Sequence, residues 1–398
     1  MALRPNSCFL FAFLLSVSTI CGAQNTNKEF SYKHLNEIAS QKHPDYERLS
    51  VMTSFWGNYS MAFKFMDLAF DKKFPHYSRL ITAGYIPLPL ADALDKISKN
   101  QVVFINEAHH LPGTRMATIL MLKKMYEKGF RYLACEGLAQ DSTLNLNRRA
   151  EYTDFSYPEV LYGEMIRQAL SLGYTIVAYD GSCKGYADST ADVDQNCREK
   201  LQAQTLYDKV LKEHPNAKMI VHAGYSHINK HGGSGWNPMG KYFVDITGIT
   251  PYGINQISMT AEDSASLENF YRSNHLPKDT PVFLAKGDSM LTLWGKDNPY
   301  YDAELFLSRE LLVNKSHLMK CLPKRKAVDV SKLCSNFKQP FVIEALLKSE
   351  GEKAVAFDAL EINGANKPVL YLENGTYVFK IISTQGLILS TKEYTLGD

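Results

Sequence analysis

The chain has 398 residues, 45% of them hydrophobic and 12% aromatic, with 44 basic against 42 acidic side chains for a formal charge of +2. That length and apolar content suit one large or two smaller globular domains. The near-balance of charge creates no global field toward nucleic acid or an anionic membrane, and there is no zinc-ribbon spacing, Walker loop or RNA-binding signature.

At the N-terminus Arg4 gives a positive start, Cys8 to Ile20 (CFLFAFLLSVSTI) an apolar run, and Cys21 to Gln24 (CGAQ) small residues for cleavage after Ala23. Residues 1–23 therefore read as a cleaved signal peptide, and the protein as secreted or periplasmic. The apolar run is short for a membrane span, and no later segment reaches ~18 apolar residues, so stable membrane insertion is not expected. A lipid attachment at Cys21 fits poorly, because Ile20 stands where a small residue is wanted. In an oxidising compartment two local pairs read as disulfides, Cys183 with Cys197 and Cys321 with Cys334. Cys135, inside the strand-like RYLACEG, reads as a buried free thiol.

A polar lead follows, and residues 55–70 carry apolar side chains at mixed helical spacing. Residues 87–100 read as a loop and short helix. From Gln101 the pattern becomes regular. QVVFIN (101–106), RYLACEG (131–137), TIVAYDG (175–181) and AKMIVHAGYSHI (217–228) read as strands. Amphipathic helices separate them, at 114–130, 158–174 and 198–215, with a fourth at 238–248. Further strands are expected near 253–259 and 281–287. Apolar strands alternating with helices predict an α/β domain over about 50–310: an open, mainly parallel sheet with helices on both faces. Residues 315–337 are basic and Cys-bounded. From 339 to 398, strand-like runs broken by turn chemistry such as Asn374-Gly375 predict a small antiparallel β module at the C-terminus.

In a parallel sheet, ligands sit beyond the carboxyl ends of the strands. The first strand ends in Asn106, Glu107, His109 and His110, and the second in Glu136. The third ends in Tyr179 and Asp180. The fourth carries His222, Tyr225 and His227. Singly, each is an ordinary strand-end or turn residue. Together they place ionisable groups at the same end of four successive strands, which marks a site. Arg115, early in the first helix, can pair with Glu107 or Glu136 or clamp a carboxylate. Arg198 and Glu199 open the helix after the Cys-bounded loop. Glu199 suits the helix dipole there and Arg198 does not. The glycines of HGGSGW (231–236) permit a flap.

Two functions follow. One is a hydrolase of a small-molecule or peptide substrate. His109 or His110, with Glu107 or Glu136, would activate water, and Arg115 or Arg198 would stabilise oxyanion charge. Asp180, Tyr225 and His222 would then contact substrate. A divalent metal held by His109, His227 and a carboxylate such as Glu136 is the other way to make hydroxide. The second function, implied by the family resemblance given next, is a haem- or iron-binding protein with Tyr225 or His227 as axial ligand. Oligomeric state is not legible.

These same motifs resemble a known superfamily, the erythromycin esterase-like, ChaN-like and TIKI/TraB proteins. NEAHH is similar to their first Gly-Glu-x-His motif, with Asn106 where glycine is usual. ACEG matches their second-strand Glu at Glu136. REKLQA matches their Arg-led helix start at Arg198 and Glu199, and GYSH their second Gly-x-x-His at Gly224 and His227. The resemblance covers about residues 55–286. It implies an α/β fold and, by branch, a metal-dependent peptidase, a His/Glu hydrolase without obligatory metal, or a haem binder.

Overall fold

The computed structural model describes residues 32–69, 84–156, 158–181, 183, 191–233, 235–260, 271, 275–286, 292–296, 298–364 and 367–397. The expected signal peptide lies outside them. Three helices lead: α1 (Tyr32–Ala39), α2 (Tyr46–Ser54) and α3 (Tyr59–Ala69). Strand β1 (Tyr85–Pro89) and helix α4 (Leu90–Ile97) follow. The regular part then runs β2 (Val102–Glu107), α5 (Pro112–Glu127), β3 (Phe130–Cys135), α6 (Val160–Leu172), β4 (Thr175–Ala178), α7 (Ala191–Leu206), β5 (Lys218–Gly224), α8 (Met239–Thr247) and β6 (Tyr252–Asn255). Next come β7 (Val282–Lys286), β8 (Thr292–Leu293) and β9 (Ala303–Phe306).

The main sheet is ordered β1-β7-β9-β6-β2-β5-β3-β4, with β8 on β7. From β9 to β4 every pairing is parallel; β1, β7 and β8 join antiparallel. Alternation along β2 fixes the two layers. Val103 and Ile105 share a core with Met116, Leu122, Leu161 and Ile166 of α5 and α6. Val102 and Phe104 share another with Ala203, Leu206, Met239 and Phe243 of α7 and α8. The sheet is thus covered by helices on both faces, as its apolar strands require. β1 was not legible as a strand because Pro87 and Pro89 cannot donate to a ladder. It is tolerated as an edge.

Toward the C-terminus the sheets are small and antiparallel. β10 (Lys326–Asp329) pairs β13 (Val369–Leu372). A four-stranded sheet is ordered β12-β11-β14-β15, from β11 (Phe341–Leu347), β12 (Asp358–Ile362), β14 (Gly375–Ser383) and β15 (Ile388–Leu396). Buried ion pairs dock these sheets on α6. Arg167 clamps both oxygens of Glu350, and Arg325 lies 2.9 Å from Glu164 with its guanidinium 3.8 Å over the Phe357 ring.

Cys183 and Cys197 form a disulfide, and Cys135 is a buried free thiol. The expected Cys321–Cys334 bridge is not made, and both are free. They serve different cores: Cys334 packs with Val330 and Phe341 of the C-terminal sheets, whereas Cys321 packs on the main core with its thiol on the Asp279 and His317 carbonyls. Among the described residues no helix is long and apolar enough to cross a membrane.

Candidate active site

β2 and β5 are neighbours whose crossovers run over opposite faces of the sheet, β2 into α5 on one and β5 into α8 on the other. Beyond the carboxyl ends of such a pair the loops part toward opposite faces, which is where ligands of α/β sheets bind. The polar strand-end residues gather there.

The first group hangs on Arg115. Its guanidinium grips Glu107 with two bonds, Nε to Oε2 and Nη2 to Oε1, both 2.6 Å, and donates from Nη1 to Glu159 Oε2 at 3.0 Å. Arg115 and Glu159 are wholly buried. Burial pushes the Glu107 carboxyl up, but Arg115, His222 and His109 overcome it and hold it well below the usual range. Glu107 is therefore an acceptor only, and His109 Nδ1, 2.7 Å from Oε1, must donate. That fixes the tautomer and turns Nε2 outward as the acceptor when the ring is neutral. No face of Arg115 is left for substrate. The expected oxyanion role is replaced by support of Glu107.

A second group centres on Glu136. Its Oε1 accepts from Arg198 Nη2 at 2.6 Å, and its Oε2 from the Gly224 backbone N–H at 2.5 Å. Burial raises this carboxyl, but His227, Arg198 and His109 together keep it well below the usual range. Arg198 also binds Asp180 through Nε at 3.1 Å and Nη2 at 2.9 Å, and Gln202 donates to the same aspartate. Asp180 thus stands behind Arg198. The Cys183–Cys197 bond ties these two stretches of chain together.

His227 repeats the arrangement of His109. Its Nδ1 lies 2.7 Å from Glu199, a fully buried carboxylate that also accepts from the backbone N–H of Met239 at the start of α8. Its Nε2 lies 3.4 Å from Glu136 Oε1. Burial lowers its pKa, but Glu136 and Glu199 outweigh that and lift it to about 9. At neutral pH His227 is an imidazolium.

Gly224 lets the halves meet. A Cβ placed there would lie 2.7 Å from His109 Cε1, 2.8 Å from its Nε2 and 3.1 Å from Glu136 Oε2. The backbone is ordinary, with φ −68° and ψ 141°, so the glycine serves close approach rather than conformation. Two imidazoles, each oriented through Nδ1 by a buried carboxylate, converge with their Nε2 edges on Glu136.

His110 turns away. Its ring meets Phe63 edge to face, and its Nδ1 lies 3.4 Å from the Tyr225 hydroxyl. That hydroxyl also accepts from the His109 backbone N–H, and the Tyr225 ring packs edge-on against His109. Tyr225 holds a left-handed φ of 42°, a local strain that directs its ring at the site. His222 is buried below, with Nδ1 3.6 Å from Glu107. Burial pushes it down to about 4, so it is neutral and not positioned for substrate.

Among the described residues, no three His, Cys, Asp or Glu side chains are grouped to hold a metal ion. The expected set of His109, His227 and Glu136 does not fit one, because the Arg198 guanidinium sits on the Glu136 oxygen that His227 approaches. An axial haem ligand fits no better. Both His227 nitrogens face carboxylates, and the Tyr225 hydroxyl serves the two histidines.

Sequence reasoning missed Glu159, whose signal was its place as the N-cap of α6. It read Glu199 only as a partner of the helix dipole. Glu47 of α2 also went unread. Burial and Asp45 raise its carboxyl to about 7 while His109 opposes them.

No protein family model and no curated protein matches the chain. Similar solved structures include the type III effector HopBA1, at TM-score 0.30 and 14% identity over 42% of this chain and 84% of its own. RRSP, a MARTX toxin effector domain from Vibrio vulnificus CMCP6, aligns at TM-score 0.32 and 16% identity over 43% of this chain. A structure described as bacterial protein toxins aligns at 0.33 and 15% over 43%. The chain spans 36% and 37% of those last two. Likeness at this level carries no argument about fold or activity.

Proposed function

We propose that the protein is an exported hydrolase of ester or amide bonds in a small-molecule or peptide substrate. The observation that supports this best is the convergence of two carboxylate-held imidazoles on Glu136. The order of motifs also favours kinship with the erythromycin esterase-like, ChaN-like and TIKI/TraB proteins.

The roles follow from protonation. His109 Nε2 takes a proton from water while Glu107 accepts from Nδ1 and stabilises the resulting imidazolium. Glu136, held ionised, orients that water. The hydroxide attacks the carbonyl carbon, and the oxyanion is stabilised by the His227 imidazolium and Arg198. The test uses Glu136→Gln and His109→Gln against a panel of 4-nitrophenyl esters and fluorogenic amides. Each variant is expected to lose roughly a hundredfold or more in kcat/KM, the usual share of a general base, with its circular dichroism unchanged. Full activity in both variants, or none in the wild type, overturns the reading.

A further inference from the structure

Four consecutive residues of α7 each hold a different part of the site. Asn196 donates from its side chain to the Gly235 carbonyl at 2.7 Å and accepts the Asn237 N–H at 2.8 Å, in the loop after β5. Cys197 is bonded to Cys183. Arg198 joins Asp180 to Glu136, its Nη2 lying 2.9 Å from the first and 2.6 Å from the second. Glu199 holds His227 Nδ1 and the Met239 N–H. Successive residues of a helix point about 100° apart, so four of them span its whole circumference. This turn of α7 is therefore gripped on every side. Arg198 and His227, the two cations facing the oxyanion, both take their positions from it.

Of these four grips one is covalent. Cys183 lies three residues beyond Asp180, and Cys197 directly precedes Arg198. The disulfide thus fastens the stretch that carries the aspartate to the helix that carries the arginine. Without it, the hold of Asp180 on α7 falls to its bonds with Arg198 and Gln202. The Arg198–Asp180 pair is part-exposed, at 29% and 21%, and water competes for it. Cys183 and Cys197 are themselves half-exposed, so a small thiol or disulfide reaches them. Cys135 is wholly buried, and burial pushes its thiol up, which keeps it out of such exchange.

We propose that the Cys183–Cys197 bond is a redox latch on the site, so that the protein is made with both thiols free and weakly active and is switched on by a disulfide oxidant met on export. This regulation rests on the hydrolase reading. The exchange balances. One cysteine thiolate attacks the oxidant's disulfide and expels a thiolate, and the second cysteine then displaces the other half. Two protons and two electrons leave the pair, the sulfur–sulfur bond forms, and the oxidant departs as two thiols.

The experiment follows 4-nitrophenyl butyrate turnover in the purified protein as isolated, after reduction with a phosphine that is then removed, and after reoxidation with oxidised glutathione. Thiols are counted by alkylation and mass. Reduction is expected to lower kcat/KM roughly tenfold or more, part of the cost of a misplaced reacting group, with circular dichroism unchanged, and reoxidation to restore it. Cys183→Ser with Cys197→Ser is expected to sit at the reduced level and to respond to neither reagent; should that variant not fold, the reversible cycle on the wild type decides. Full activity with both thiols free overturns the latch, as does a loss that comes only with lost circular dichroism. A second readout needs no turnover. His227 is lifted to about 9 by Glu136 and Glu199, against burial and Arg198. Its imidazole NMR midpoint, identified by its absence in His227→Gln, is expected to fall toward 6.5 on reduction as the α7 turn loosens. An unchanged midpoint overturns the latch. Absence of turnover in the oxidised wild type overturns the hydrolase reading, and the His227 midpoint then decides the latch by itself.

Discussion

Gly224→Ala places one methyl where two side chains converge. The backbone accepts alanine, so the whole effect comes from the new Cβ, 2.7 Å from His109 Cε1 and 3.1 Å from Glu136 Oε2. An ordinary carbon contact is about 3.5–4.0 Å, so the imidazole must retreat by roughly 1 Å. It cannot do so freely, since Glu107 holds Nδ1 and the Tyr225 ring lies edge-on behind it. Overpacking of this kind costs about 1–3 kcal/mol, a fall in Tm of the order of 5 °C. A misplacement of about 1 Å at a reacting group costs roughly a hundredfold in rate. The decisive assay is a double-mutant cycle on stability. Gly224→Ala is expected to destabilise the wild type and to cost clearly less in a His109→Ala background, where the clashing ring is gone and only the 3.1 Å contact to Glu136 remains. Equal cost in both backgrounds would refute the close approach of His109 to Gly224, and with it the geometry of the site.

Arg115→Met strands Glu107 and Glu159, both buried, without their cation. Denaturant unfolding is expected to show a loss of about 3–5 kcal/mol, partly restored by adding Glu107→Gln and Glu159→Gln; a loss below about 1 kcal/mol contradicts the assigned role. His227 has a folded pKa of about 9 against 6.5 for the free side chain. Its stabilising contribution is thus fully present below about pH 6.5 and is lost as pH rises toward 9. His227→Gln is expected to flatten stability across that window, measured by Tm from pH 6 to 9.5; an unchanged slope would show that His227 is not the titrating group.

Much of the sheet was legible because β2, β3, β4 and β5 are continuous apolar runs ending in polar groups, and the strand-end rule does the rest. It placed Glu107, His109, Glu136, Asp180 and His227 in one region. Proximity alone could not assign orientation. Whether His109 or His110 faces the crevice depends on which imidazole meets Glu107 and which meets Phe63, a matter of local backbone path. Arg115 read either as a partner of Glu107 or Glu136 or as a ligand clamp; the Glu107 pairing, 8 residues back, is the one made, while Glu159, 44 residues on, shows only in the packed structure. Of the cysteine expectations only the Cys321–Cys334 pairing failed, for a related reason: a short separation in sequence does not tell which core each thiol enters.

Helix α6 touches both ends of the molecule's chemistry. Its N-cap carboxylate holds Arg115, while Glu164 and Arg167, on its next turns, hold the C-terminal sheets through Arg325 and Glu350. Those sheets are therefore not an accessory that recombination could shed or transplant. A gene lacking them would leave a buried glutamate and arginine unpaired on the very helix whose N-cap Glu159 holds Arg115 against Glu107. Lineages carrying this fold should inherit or lose the two parts together, and a naturally shortened homologue should show apolar replacements at the positions of Glu164 and Arg167.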